Sequence, residues 1–184
     1  MAIKRICVFC GSHEGKNPAY ASLASKLGRE MAKQEIGLVF GAGSVGLMGV
    51  ISDAILEAGG EAHGVIPEHL IRSEIPRDDL TELHITKTMH DRKALMEELS
   101  DAYITLPGGF GTFEEMFETI TWNQLGIHNK PIVLLNVDGY YDQLIGFIDQ
   151  AVQQSFINNG SHRILQPATT VTEAFQKLGI LSGD

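Results

Sequence analysis

The chain has 184 residues, a hydrophobic content of 43% and a formal net charge of −9 at pH 7. The length fits a single domain over residues 1–184, and the acidic charge argues against a nucleic-acid partner because duplex binding needs a basic face. The apolar run at residues 6–10 is shorter than a signal-peptide core, and no later run approaches the roughly 18 residues that span a bilayer, so we expect no membrane partner and a cytoplasmic protein.

Short apolar runs rich in β-branched residues alternate with helical segments along the chain. This alternation is typical of βαβ units and predicts an α/β fold, with a Rossmann-like, doubly wound, mostly parallel sheet and helices on both faces. In chain order we predict strands over residues 3–9, 37–40, 62–66, 82–86, 102–106 and 131–137. We predict helices over residues 18–33, 46–58, 89–99, 140–155 and 174–178, and another that follows the fifth strand and ends near residue 125.

Cys7 and Cys10 form a C-x-x-C pattern in the first predicted strand. Residues three apart in a strand face opposite sides, and no second cysteine pair or nearby histidine completes a tetrahedral metal set. A thioredoxin-type pair would instead stand at the start of a helix. We therefore predict two buried, reduced thiols.

Three glycine-bearing turns follow predicted strands, at residues 11–12, 41–49 and 107–112. In a doubly wound sheet, ligands bind beyond the carboxyl ends of the strands, near the point where the strand order reverses. All three turns should therefore open on one edge of the sheet. The candidate phosphate-loop residues in them are Gly11, Ser12, Gly43, Ser44 and Gly108.

The spacing Gly41-x-Gly43-x-x-Gly46 also satisfies the dinucleotide fingerprint, and Glu61 lies near the distance at which an acid holds a ribose hydroxyl. An NAD- or FAD-binding oxidoreductase is therefore an alternative. Two features weaken it: the fingerprint follows the second strand rather than the first, and a richer phosphate loop follows the fifth.

That richer loop lies in residues 106–118, which read LPGGFGTFEEMFE. Its glycines let the backbone approach a ligand, and the N–H groups of a helix start bind a phosphate. We expect Glu114 and Glu115 in the first helical turn, beside whatever the phosphate is attached to, where a hydrolytic carboxylate is useful. The same residues also allow a purely structural interpretation without a ligand, because Thr112 and Glu115 satisfy the capping-box pattern of a helix start. Local spacing leaves both interpretations open.

A second charged segment, residues 89–93 (MHDRK), opens the helix before the fifth strand. Arg92 would reach the same sheet edge as the phosphate loop, and its planar guanidinium suits phosphate or carboxylate. A solvated helix start is the alternative. We interpret His90 as a helix-start or packing residue. Because His84, His128 and His162 show no metal-binding spacing, we predict no metal.

The MHDRK and PGGFGTFEE segments together resemble the two-part signature of the Lonely guy (LOG) family, the cytokinin riboside 5′-monophosphate phosphoribohydrolases. Supporting stretches follow in family order at residues 9–12, 41–49, 64–67 and 120–126, so the resemblance covers nearly the whole chain. It implies hydrolysis of the N-glycosidic bond of AMP or N6-modified AMP to free base and ribose 5-phosphate. A non-catalytic nucleotide-binding sensor is an alternative of another class.

The resemblance also implies site residues, with Arg92 and Glu115 as the catalytic pair. The implied nucleotide contacts are Glu74, Arg92, Lys93, Gly109, Phe110, Gly111, Thr112, Phe113, Glu114 and Thr121. An older family label, lysine decarboxylase, would require pyridoxal phosphate, but no lysine stands out as a Schiff-base candidate, so we predict no cofactor. Relatives of this length imply a homodimer, and the apolar helix over residues 140–156 could face the partner or the core.

The sequence departs from the family pattern in two places. Ala42 stands where many relatives carry glycine, which the turn accepts if φ is negative there. Residues 68–79, with Arg72 and Ser73 before Glu74, differ more. We expect that stretch to shape the base pocket, so the preference between plain and N6-prenylated adenine stays open.

Overall fold

The computed structural model describes residues 2–71 and 77–181. The strands are β1 (Arg5–Phe9), β2 (Gly37–Phe40), β3 (Ala62–Pro67), β4 (Glu82–Thr86), β5 (Ala102–Thr105), β6 (Ile132–Leu135) and β7 (Leu165–Ala168). The helices are α1 (Pro18–Lys33), α2 (Gly46–Glu57), α3 (Met89–Leu99), α4 (Phe110–Gln124), α5 (Asp142–Gln153), α6 (Asn159–His162) and α7 (Val171–Lys177). Within the described ranges, the strands form one seven-stranded parallel sheet in the order β4-β3-β2-β1-β5-β6-β7.

Helices bury both faces of this sheet. On one face α1, α2 and α7 pack through residues such as Leu27, Ile51 and Phe175. On the other, α3, α4 and the start of α5 pack through Met96, Met116 and Tyr141 respectively. Because both faces are covered, the central strands are apolar at nearly every position instead of alternating.

Side chains that directly precede α1 and α3 fix where these helices begin. Asn17 accepts a hydrogen bond from the Ala19 N–H at 3.0 Å, next to a proline at the first helical position. At α3, Thr88 and Asp91 form a capping box whose two hydrogen bonds are each 3.1 Å. This cap fixes the first turn of α3, from which Arg92 projects.

The order of strands reverses between β1 and β5. From β1 the sheet grows outward to β4 on one side, whereas β5 pairs with the other side of β1 and begins the second half. The last paired residues of these two neighbours are Phe9 and Thr105, so the turns that follow them lie next to each other. The ligand edge expected from the sequence therefore lies at the carboxyl ends of β1 and β5.

The predicted α/β class and parallel sheet are confirmed, and α1, β2, β4 and α3 have the predicted bounds. The prediction missed β7, whose four residues include Pro167. Proline cannot donate to a sheet ladder and is tolerated in this strand because β7 is at the edge. Among the described residues, none of the helices is both long enough and apolar enough to pass through a membrane.

Candidate functional site

The turns after β1 and β5 pack against each other at the switch point. The Gly11 N–H donates to the Pro107 carbonyl at 3.0 Å. A Cβ on Gly108 would lie 2.1 Å from Thr112 Oγ1 and 2.9 Å from Gly11 N. Only glycine fits at position 108, because this loop touches both the neighbouring turn and the start of the next helix.

Helix α4 begins earlier than the sequence pattern suggested. Gly109 is its N-cap, and the Phe113 N–H donates to the Gly109 carbonyl at 3.0 Å. The N–H groups of Phe110, Gly111 and Thr112 therefore precede the first intrahelical bond and are available to an anion. They form the open helix start that the sequence predicts, whose N–H groups have the geometry to bind an anion.

The capping-box alternative is wrong, because Thr112 is the third residue of α4 and not its N-cap. The expectation that Glu114 and Glu115 stand in the first turn is also wrong, since that turn contains no acidic residue. Glu115 instead lies four residues beyond Gly111, about 6 Å along the helix axis. That separation leaves room for a sugar between a bound phosphate and the carboxylate.

Two tyrosines hold the glycine-rich loop after β5 through hydrogen bonds to its carbonyl groups. The sequence pattern had placed both only in an apolar helix. The Tyr140 hydroxyl donates to the Gly108 carbonyl at 2.6 Å, and the buried Tyr141 hydroxyl donates to the Leu106 carbonyl at 2.7 Å. Both bonds use carbonyl oxygens of the loop and leave its N–H groups for a ligand. The available signal was their place just after the sixth strand, at the ligand edge.

Arg92 and Glu115 meet in the same cleft. Arg92 Nη2 lies 3.5 Å from Glu115 Oε1, and their side chains are 8% and 14% exposed. The Arg92 Nε–H donates to the Val65 carbonyl at 3.1 Å, which aims the guanidinium from α3 across the end of β3. A Cβ on Gly41 would lie 2.1 Å from Nη2. Gly41 therefore makes the space that the guanidinium occupies.

The cleft has two connected lobes that share Gly11, Ser12 and Gly109. The Tyr20 lobe has a volume of about 280 Å³ and is also lined by His13, Glu14, Gly15, Tyr20, Leu47, Pro107, Gly108 and Tyr140. The Glu115 lobe has a volume of about 190 Å³ and is also lined by Cys10, Met48, Arg92, Phe110, Gly111, Thr112 and Glu115. Together they offer an anion site next to an arginine and a carboxylate.

Several expected contacts lie elsewhere in the described chain. Phe113 packs against Tyr141 in the core, and Thr121 is on the exposed surface of α4, where its hydroxyl donates to the Phe117 carbonyl at 2.7 Å. Gly43 and Ser44 are not among the described residues that line the cleft, although Met48 from the following helix is. Glu74 falls in residues 72–76, outside the described residues.

Lys93 and Glu114 form a contact between helices. Lys93 Nζ lies 2.5 Å from Glu114 Oε1 and 2.9 Å from Glu118 Oε2, so it links α3 to α4. Burial on its own lowers the pKa of Lys93, but the hydrogen bonds to the two carboxylates outweigh that effect and raise the pKa overall. Neither residue is among those described as lining the two lobes.

The glycine fingerprint at residues 41–46 is explained by packing. Gly41 accommodates Arg92, and a Cβ on Gly46 would lie 2.2 Å from the Ser12 carbonyl carbon. Glu61 directly precedes β3, at the amino end of the strand, whereas the cleft lies at the carboxyl ends. Glu61 therefore does not stand where a ribose-binding acid of a dinucleotide site would, and the oxidoreductase alternative loses its support.

Ala42 adopts a φ of +66° and is fully buried. The condition under which the turn would accept alanine without strain, a negative φ, is therefore not met. Positive φ costs a residue with a Cβ roughly 1–2 kcal/mol relative to glycine. The chain carries that backbone strain directly beside Gly41 and the Arg92 guanidinium.

Cys7 and Cys10 are free and buried, as predicted. They belong to the cores on opposite faces of the sheet. Burial, reinforced by the charge of Glu115, raises the pKa of both thiols, so neither is an activated nucleophile.

Comparison with known proteins gives close relatives. The family described as "Possible lysine decarboxylase" matches residues 48–178. Cytokinin riboside 5′-monophosphate phosphoribohydrolase LOG7 from Arabidopsis thaliana is 50% identical over 175 residues, which cover 95% of this chain and 81% of that protein. The probable phosphoribohydrolase LOGL3 from Oryza sativa subsp. japonica is also 50% identical over 175 residues, 95% of this chain and 83% of its own.

Solved structures of more distant proteins share the fold. The molybdenum cofactor binding protein from Rippkaea orientalis has a TM-score of 0.71 at 23% identity and covers 97% of each chain. The molybdenum cofactor carrier protein from Chlamydomonas reinhardtii has a TM-score of 0.72 at 20% identity and covers 99% of this chain and 100% of its own. At such identities the likeness shows a common Rossmann-like architecture and nothing about ligands.

Proposed function

Because the chain belongs to the Lonely guy (LOG) family of phosphoribohydrolases, we propose that this enzyme hydrolyses the N-glycosidic bond of a cytokinin riboside 5′-monophosphate or AMP. The products are the free base and ribose 5-phosphate. The observation that carries the proposal is the placement of Arg92 and Glu115 in one cleft, beside the open N–H groups of α4.

The 5′-phosphate binds at the start of α4 in this proposal. The N–H groups of Phe110, Gly111 and Thr112 and the positive end of the helix dipole attract an anion there. Gly11 and Ser12 close the other side of the same lobe. The phosphate does not react, so its binding energy serves to hold the sugar in position.

Cleavage of the glycosidic bond develops positive charge on the ribose. The Glu115 carboxylate would stabilise that charge from below the ring and accept a proton from the attacking water. The water oxygen forms the new bond to C1′. The base leaves with the electrons of the broken C1′–N bond and takes up one proton, which balances the reaction.

Arg92 is assigned to orient Glu115 and a nearby substrate oxygen. Its Nε–H is already committed to the Val65 carbonyl, while Nη2 points at Glu115 from 3.5 Å. A protein that only bound nucleotides would have no need of this arginine–carboxylate pair in its cleft. The presence of Arg92 and Glu115 together therefore favours hydrolysis over a sensor function.

Decarboxylation of lysine has no support in this site. A Schiff-base lysine needs a depressed pKa, so that the amine is neutral and nucleophilic. Lys93, which lies next to Arg92 in sequence, has a raised pKa and is held by Glu114 and Glu118.

We further propose a homodimer. Phe147 in α5 and Phe156 just beyond it are 66% and 87% exposed, while Leu144 and Ile145 of the same helix pack on the core. One face of α5 is therefore internal, and the two exposed phenylalanines on its outer side and just beyond its end could pack against a second copy. Thr121 lies outside the cleft of its own chain, so its implied substrate contact would require the partner protomer.

Analytical ultracentrifugation tests the homodimer. We expect a sedimenting mass of twice 20.1 kDa, and a monomer at micromolar concentration would refute the proposal.

The proposal also covers the domain organisation and the cellular location of the protein. One sheet contains all the described strands between Arg5 and Ala168, which supports a single nucleotide-binding hydrolase domain. The free thiols Cys7 and Cys10 fit a reducing compartment and support a cytoplasmic location.

The test is release of free base by the wild type and by Glu115→Gln, with AMP and N6-isopentenyl AMP as substrates. We expect the substitution to lower turnover at least about 100-fold, because it removes the group that accepts the proton and leaves the shape unchanged. The matched control is Glu98→Gln, an exposed position on α3 that should keep full activity. Wild-type turnover by a folded Glu115→Gln variant would refute the role of this carboxylate.

A further inference from the structure

Three side chains of types that commonly bind metal ions lie close together near the amino ends of β3 and β4. The Arg92–Glu115 pair lies at the other end of the strands, beyond their carboxyl ends. His63 is paired directly with Glu82 across the two parallel strands, and His84 follows Glu82 by two residues. Residues two apart on a strand share a face, so His63, Glu82 and His84 project to one side of the sheet. The strand pairing brings them together, although their spacing along the chain shows no metal pattern.

The distances within this cluster match those between metal ligands. Glu82 Oε2 lies 3.6 Å from His63 Nδ1 and 3.4 Å from His84 Nε2. Bonds of about 2.0–2.1 Å to one tetrahedral zinc ion place neighbouring ligand atoms about 3.3 Å apart. The ligand atoms of all three residues lie within 4.8 Å of one another. Only small side-chain movements would bring them onto one ion.

The histidine nitrogens are buried without hydrogen bonds. His63 Nδ1, His63 Nε2 and His84 Nε2 have no hydrogen-bond partner among the described residues, and the His63 side chain is only 5% exposed. A buried polar atom without a partner costs about 1–3 kcal/mol. A cation bound between Nδ1 of His63 and Nε2 of His84 removes that cost at those two atoms.

Glu61 supplies the outer group that metal-bound histidines commonly use. Its Oε2 lies 3.5 Å from His63 Nε2, on the side of the ring away from Glu82. In the tautomer that carries its hydrogen on Nε2, the nitrogen nearer Glu61, the lone pair of Nδ1 would face Glu82 and His84. A carboxylate in this position fixes the tautomer and raises the basicity of the ligand.

We propose that His63 Nδ1, Glu82 and His84 Nε2 bind a divalent first-row transition metal ion, with zinc as the best fit to two imidazoles and a carboxylate. Water completes the coordination, since Glu82 is exposed and His84 half-buried. The ion joins the edge strand β4 to β3. It would stabilise the pairing of β4, the strand that precedes α3 in the chain, and it lies outside the nucleotide cleft.

The competing explanation is that His63 interacts only with the carboxylates of Glu61 and Glu82 and binds no metal. The two explanations predict different results for zinc binding to chelator-treated, untagged, full-length protein in competition with a chromogenic chelator. We expect one zinc equivalent per chain. Glu82→Gln and His84→Gln should each weaken its affinity at least about 100-fold, and Glu61→Gln should weaken it about tenfold.

His162→Gln is the control, because that histidine pairs with Asp149 at the surface and lies outside the cluster. It should keep the zinc equivalent. Glu82 is exposed, so its variant keeps the fold, which circular dichroism checks. Zinc should raise the melting temperature of the wild type and of His162→Gln but not that of Glu82→Gln. Absence of a saturable zinc site in the wild type, or wild-type zinc affinity in both Glu82→Gln and His84→Gln, would overturn the proposal.

Discussion

Groups from three separate segments of the chain hold Arg92 in place: the end of β3, helix α4 and the turn after β2. The Val65 carbonyl accepts from its Nε–H, Glu115 faces its Nη2, and Gly41 leaves the space for its guanidinium. An arginine that is 8% exposed needs partners of this kind, because a buried charge without them is costly. The position of the proposed catalytic arginine thus depends on a glycine that is not among the described residues lining the cleft.

Gly41→Ala should therefore act on catalysis through Arg92. The added Cβ would overlap Nη2, displace the guanidinium and lower turnover about 100-fold, since a misplacement of about 1 Å in a catalytic group has effects of that size. Turnover with AMP and the melting temperature measure the result. Gly146→Ala is the control, because a Cβ there meets nothing within 4 Å. Normal turnover by a folded Gly41→Ala variant would contradict the packing argument.

Ala42 offers a test of stored backbone strain. Ala42→Gly removes a buried methyl group, which costs about 0.8 kcal/mol, but relieves the positive φ, so the free energy of unfolding should change by less than about 1 kcal/mol. Ala24→Gly removes a methyl that is equally buried, from the middle of α1, and should cost about 2 kcal/mol. Urea denaturation of both variants compares them, and equal losses would argue against strain at Ala42.

At the scale of elements, helices α3 and α4 carry Arg92 and Glu115, the proposed catalytic pair, and this proposal requires them to keep a fixed relation. Lys93, the residue after Arg92, joins the helices through Glu114, the residue before Glu115, and through Glu118. The capping box of Thr88 and Asp91 fixes the start of α3, and the open glycine start of α4 leaves its N–H groups for the substrate.

Lys93→Met should loosen this link. We expect a loss of about 1–2 kcal/mol in the free energy of unfolding, at the lower end for charge-assisted hydrogen bonds because Glu114 is half exposed to solvent. Lys87→Met, at an exposed position just before α3, should change it by less than about 0.5 kcal/mol. Equal stability of the two variants in urea would mean that the link contributes nothing.

Element positions were predictable from the sequence wherever local chemistry determines them. Asn17-Pro18 fixed the start of α1, and Thr88 with Asp91 fixed that of α3. The sequence placed the start of α4 too late because Thr112 and Glu115 match the capping-box pattern. The true N-cap, Gly109, has no side chain that a sequence pattern could identify. β7 was missed because a short strand containing proline resembles a loop.

At the scale of the whole molecule, the parallel sheet brings together segments that are distant in sequence, both at the carboxyl ends and at the amino ends of its strands. The carboxyl edge joins the turns after β1 and β5 with Arg92 and Glu115. Predicting that edge needed only the alternation of strands and helices. The partners of the buried histidines could not be predicted, because the pairing of β3 with β4 places His63 beside Glu82 from a distant part of the chain.

The central claim is that the start of α4 holds the nucleotide phosphate while Glu115 faces C1′ of the ribose. A crystal structure of Glu115→Gln with AMP tests it most directly, because the variant traps the substrate without hydrolysis. We predict phosphate oxygens about 3 Å from the backbone nitrogens of Phe110, Gly111 and Thr112, with the side chain of residue 115 directed at C1′. A phosphate bound away from α4, or a residue 115 turned away from the ribose, would contradict the account.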